Sequence, residues 1–294
     1  MASGAAQPRA GEAELPADGG LFGPDSVTWR LMSEPVMWVG GVRALYLQAL
    51  NPRTMRGTWQ NTLFTDPSEA WGRFVRTTEF VRVRTYGTIP EVERAGRRIR
   101  KIHSSLTGID EDGQQFRLDE PELLMWVHCG EVASYADIAR RSGMRISAAD
   151  LDRFVAEQRR GAELVGLDPA SVPATVAQLD DYYQQMRPQL RACEEAKLAL
   201  RLSYNPRVPA EYLPLKLLLP SLNTLAFASL PRWARKMYGA PGSPVTDIGA
   251  TAALRAAYES TSRIPRRLLF MPAAAAAARR RRRAGDRGLA VQAG

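Results

Sequence analysis

A polar residue that can cap a helix, followed at once or shortly by proline, recurs along this chain and restricts its fold more than any other feature. Asp66-Pro67-Ser68-Glu69 supplies an N-cap, a proline at the first helical position and a carboxylate at the third. Proline is tolerated there because the N–H groups of the first turn have no intrahelical acceptor. Trp71, Phe74, Val75, Thr78 and Val81 then return at helical spacing. Thr88-Ile89-Pro90-Glu91 repeats the signature and opens a second helix, with Val92, Ala95, Ile99, Ile102 and Leu106 inward and Gly108 as its stop. Asp119-Glu120-Pro121 starts a third helix carrying Leu123, Leu124, Val127, Val132 and Tyr135, and Ser147-Ala148-Ala149-Asp150 a fourth carrying Leu151, Phe154, Val155 and Leu164. Residues 175–186, 188–202 and 251–262 also read as helices, and Leu215 to Leu230 as a pair of core helices broken at Pro220. No run of alternating apolar and polar residues is long enough for a convincing sheet. The expected fold class is all-α: a single helical domain over residues 21–269, between a disordered lead (1–20) and a disordered Ala/Arg-rich tail (270–294).

Charge and cysteine content narrow the function classes. Of the net charge of +9, five positives form the single run Arg279 to Arg283, so the body of the chain is only mildly basic. A nucleic-acid footprint needs a dense basic face on the folded surface, so no nucleic-acid partner is expected. The arginine run reads as a solvated tail, with peripheral contact to an anionic membrane as its functional alternative. Two cysteines, Cys129 and Cys193, exclude a multi-disulfide framework. The first 20 residues hold no apolar core of the length a secretory signal needs, so a cytoplasmic location is expected. No GxSxG, P-loop or GxGxxG motif is present, which leaves an α/β-hydrolase, a nucleoside-triphosphate enzyme and a dinucleotide-dependent dehydrogenase without support.

Only two histidines occur in 294 residues, and both fall on inward helix faces. His103 shares its face with Gly96, Ile99 and Leu106, and the missing side chain of Gly96 leaves a gap through which a flat ligand could approach the backbone. His128 lies between Leu124 and Val132. Neither has a second histidine within one helical turn, so no HxxxH or HExxH metal site exists. Two readings follow: each is a core imidazole satisfied by hydrogen bonds, or the two meet one cofactor from two helices. Cys129 adjoins His128, but consecutive helical residues do not face each other, so no nucleophilic pair is expected. Glu79 is a carboxylate beside apolar neighbours, and Arg94, Arg97, Arg98 and Arg100 form the wet side of the second helix, from which one could reach an anionic group.

Several stretches carry a family resemblance in consistent order. They are GPDSVTWR from Gly23, MSEPVMWVGGVRALYLQALNPRTMRG from Met32, RTTEFVRVRTYG, RKIHSSLTG, DEPELLMWVHCGEVASY, LVGLDPASVP and LPRWARKMYG. Together they resemble the catalytic domain shared by bacterial rubber oxygenase (latex-clearing protein) and the MpaB oxygenase. The resemblance implies an all-helical fold holding haem b and iron, with oxygenase chemistry that uses dioxygen on a hydrophobic, isoprenoid- or lipid-like small molecule. It implies that His128 is the proximal iron ligand, that His103 lies near the haem, that Arg94 to Arg98 form the distal stretch, here without a lysine, and that Glu79 acts as a base. Gly96, Ile99 and Trp126 would contact the cofactor, with Leu124 and Val127 adding an apolar wall, and Met32, Met37, Trp38 and Leu45 would suit a substrate channel. The chain departs from the family pattern at Asn51, where histidine is common, at Glu131, a charge one turn from the expected ligand, and at Ala133, where relatives often carry a carboxylate. The alternatives are a haem-binding sensor or carrier without turnover and a metal-free helical membrane-associated protein.

Overall fold

The capping signals work at the first, second and fourth expected starts, whereas the third helix begins after Glu120 without a side-chain cap. In the computed structural model, which describes residues 20–23, 25–62, 66–204 and 216–264, the Asp66 carboxylate accepts from the backbone N–H of Ser68 at 2.8 Å. At the second start, Glu91 accepts from the Thr88 N–H (2.8 Å) and hydroxyl (3.0 Å), and at the fourth, Ser147 and Asp150 cap each other. The helices are α1 (Val27–Met32), α2 (Met37–Gln48), α3 (Pro52–Gln60), α4 (Pro67–Tyr86), α5 (Ile89–Ser105), α6 (Pro121–Arg141), α7 (Ala148–Val165), α8 (Val176–Met186), α9 (Glu194–Tyr204), α10 (Leu219–Ala228), α11 (Arg232–Met237) and α12 (Pro244–Ser262). Between α5 and α6 a hairpin pairs β1 (Thr107–Ile109) with β2 (Gln115–Arg117), antiparallel. The fold is therefore all-α apart from this hairpin.

The core is organised on α6, whose main partner is α2. Two glycines set how closely these helices approach: a Cβ on Gly40 would stand 2.7 Å from Tyr135 Cδ1, and one on Gly130 would stand 2.9 Å from Gln48 Cγ. Trp126, Ile138, Leu31, Leu47, Phe154 and Leu254 are almost fully buried in the main apolar cluster. A charged network runs through the same region. Arg43 reaches Asp137 (3.2 Å), the Ser134 hydroxyl (2.8 Å) and the Ser229 carbonyl (3.2 Å), and Arg141 donates to that same carbonyl at 2.8 Å. Buried charges demand such partners, because an unpaired one bears its full desolvation cost.

Several expected boundaries move. The helix expected over 188–202 begins at Glu194, because the Arg191 N–H is drawn to the Leu50 carbonyl (2.9 Å) while its segment is still extended. The expected break falls at Leu217 and Leu218, so that Pro220 lies in the first turn of α10, while most of the helix expected before it lies outside the described residues. The last helix starts seven residues early, at Pro244, on a Ser243 cap. α5 ends at Ser105, and Gly108 instead gives Phe116 room across the hairpin, where a Cβ would stand 2.6 Å from the ring. Asn51 has a local explanation, since its side chain caps α3 by accepting from the Thr54 N–H at 3.0 Å. The expected lead and the Arg279 to Arg283 run lie outside the described residues.

Candidate functional site

α6 presents Leu124, His128 and Glu131 on one face, spaced by four and three residues. Leu124 packs with Ala162 and Leu167, on and just after α7. Glu131 is held by Arg84 from the last turn of α4, with contacts of 2.5 and 3.1 Å. His128 therefore sits between an apolar contact and a buried ion pair, and it is 5% exposed. Burial drives its pKa down to about 4, Glu131 opposing that shift and Arg84 reinforcing it, so the ring is neutral at physiological pH. Among the described residues no hydrogen bond joins either ring nitrogen to another group.

His103 occupies a different setting. It is half-buried near the end of α5, its pKa lowered by burial and by Arg73 against the opposing pull of Asp119. Its Nδ1 is buried without a hydrogen-bond partner among the described residues. The two imidazoles answer to different charges on α4, Arg73 for His103 and Arg84 for His128. Those arginines are separated by 11 residues, or roughly 16 Å of helix at 1.5 Å per residue. The structure does not bring the two histidines into one charge cluster, and among the described residues no three or more His, Cys, Asp or Glu side chains gather as a metal site. A donor set of one neutral, buried and unengaged imidazole suits a haem iron, which can take a single protein ligand.

Residues 29–260 match the family described as "ER-bound oxygenase mpaB/B'/Rubber oxygenase, catalytic domain". The chain belongs to this family. Neither a curated protein nor a solved structure matches it. Membership of the MpaB/rubber oxygenase family makes an oxygenase domain the coarse reading of the molecule.

Within this MpaB/rubber oxygenase domain the remaining expected site residues are scattered. Trp126 faces the core: its indole N–H donates to the Gln48 carbonyl (2.8 Å) and its ring lies 5.5 Å from Tyr183. Two helical residues apart means about 200° of rotation, so Trp126 cannot share a wall with His128. The space over Gly96 is filled by α7, where a Cβ would meet the Leu164 carbonyl at 3.2 Å, so the expected gap is closed by protein. Ile99 is half-buried, and Arg94 and Arg98 are exposed on α5. Glu79 is about half exposed and paired with Arg82, whose hydrogen bond holds the carboxyl below its ordinary range. Met37 is buried in the core whereas Trp38 is 50% and Leu45 41% exposed, so these residues do not line one channel. Ala133 packs against the main cluster. Sequence reasoning missed Arg84, which answers the Glu131 charge. The signal was the second arginine of Val81-Arg82-Val83-Arg84-Thr85-Tyr86, four residues before a capped helix start and among apolar neighbours. Among the described residues no helix is long and apolar enough to cross a membrane.

Proposed function

We propose that this chain is a haem b-dependent oxygenase acting on a hydrophobic, isoprenoid- or lipid-like substrate, with His128 as the residue that would hold the iron. The observation that carries the reading is the His128 imidazole, which is buried, neutral and, among the described residues, without a hydrogen-bond partner, on the helix to which the family resemblance assigns the iron ligand. When bound, haem b supplies the iron at which dioxygen is activated. His128 would hold the iron, and a neutral ring offers its lone pair without first losing a proton. Burial of Leu124, Ala162 and Leu167 beside it excludes water from that face of α6. His103 would present a polar nitrogen toward the group from α5, and Arg94 and Arg98, both exposed on that helix, would pair with its carboxylates. A base at Glu79 must first leave the Arg82 guanidinium. The cytoplasmic setting, and membrane contact through the arginine run, belong to the same proposal.

Reconstitution of the purified full-length chain with haem tests it. A Soret band that is lost in His128→Ala and kept in His103→Ala supports the assignment, and oxygen uptake with a long-chain polyisoprenoid supports turnover. A colourless wild-type protein after reconstitution overturns it. The Glu79–Arg82 pairing favours a second reading, a haem-binding sensor or carrier, for which the Soret band appears without oxygen uptake.

A further inference from the structure

The Arg84 side chain is 5% exposed and its partner Glu131 16%. Both guanidinium N–H₂ groups engage the carboxylate, at 3.1 and 2.5 Å, in the two-pronged geometry that only arginine provides. Space for this side chain is built into α7, because a Cβ on Gly161 would lie 3.2 Å from Arg84 Cδ. The Arg84 Nε is buried without a partner among the described residues. An ion pair sunk this deeply is seldom a net source of stability, since desolvation consumes most of the attraction. Its location gives it another role. Glu131 stands one turn from His128 on the same face of α6, and α4 is buried only in its last turn, at Arg84, Thr85 and Tyr86.

We propose that Arg84 is a positioning residue of the oxygenase site: it anchors and neutralises the Glu131 carboxylate so that His128 meets haem iron in a field without net charge from its own helix turn. The inference rests on the haem reading above and names two residues through which the chain sets the iron's preference between ferric and ferrous states. A buried charge acts strongly on a neighbouring redox centre because the surrounding dielectric is low. The two single variants therefore act in opposite directions. With Arg84 replaced, the lone carboxylate favours the ferric ion. With Glu131 replaced, the lone guanidinium favours the ferrous ion.

The test is the ferric–ferrous midpoint potential of the haem-loaded full-length protein, read from the Soret band during a redox titration at pH 8. Arg84→Met is expected to lower the midpoint and Glu131→Gln to raise it, each by enough to change the ferric-to-ferrous ratio at a fixed potential roughly tenfold. The double variant Arg84→Met/Glu131→Leu is expected to return close to wild type. If Arg84→Met does not fold, the isosteric Glu131→Gln and the double variant still decide the matter. A purely structural pair would loosen the protein in both single variants without opposed redox shifts. Midpoints that stay put, or move in the same direction, while wild type binds haem overturn this proposal and leave the haem reading standing. A wild-type protein that takes up no haem overturns both.

Discussion

Trp126 and His128 show how two residues of one helix can belong to different parts of the molecule. The Trp126 indole is fully buried, bonded to the Gln48 carbonyl and stacked edge-on against Tyr183. Trp126→Ala is expected to cost about 3–5 kcal/mol of stability, the range for deleting a large core aromatic, measured by denaturant unfolding. The fraction of folded protein that takes up haem is expected to stay at the wild-type level, because the ring lies on the far side of α6 from His128. At this scale, helical spacing made the inward position of His128 legible. It could not say what surrounds the ring, because Arg84 comes from 44 residues away in sequence.

The pairing of α2 with α6 depends on glycine at one crossing. A Cβ on Gly40 would stand 2.7 Å from the Tyr135 ring, whose own Cα lies only 3.5 Å away, so the ring has little freedom to yield. Gly40→Ala is expected to lower stability by about 1–3 kcal/mol, as overpacking does, although alanine is the better helix former. A lower thermal midpoint with unchanged helical circular dichroism would show this. Element starts were readable wherever a cap meets an apolar stripe, as at Asp66 and Thr88. The Ser243-Pro244 start carries the same cap and proline, yet the turns after it show no inward stripe, because Val245 is 75% and Ile248 70% exposed. The hairpin strands are three residues each, too short for alternation to be visible. The extended stretch before α9 comes from a contact with Leu50 that no local pattern encodes.

Over the whole molecule, charge ties the helices together. Asp137 is pushed up by burial, but Arg43, Arg140 and Arg141 outweigh that and hold its carboxyl below the ordinary range. A carboxyl lowered by folding stabilises above its unfolded pKa of about 4 and loses that contribution as pH falls through its folded value. Wild-type melting temperature is therefore expected to fall below about pH 4. Asp137→Asn is expected to melt lower at pH 7, by about 3 kcal/mol for a broken buried pair, and to lose less between pH 5 and 3. A melting series across that range checks both. The helical class and the histidine-bearing helices were legible from caps and periodicity, whereas this network joins Arg43, Asp137 and Ser229 from three separate stretches of chain.

The unequal seating of α4 and α6 has a consequence for order of opening. None of residues 68–83 is buried, while α6 is enclosed along most of its length by α2, α7 and α12. Backbone amides in the first turns of α4 should trade their protons for deuterium through small local fluctuations, and those around His128 only when the entire body comes apart. The residue on which the proposed chemistry depends thus rides on the slowest-exchanging segment, and the buried end of α4 that carries Arg84 stays with it while the opposite end frays.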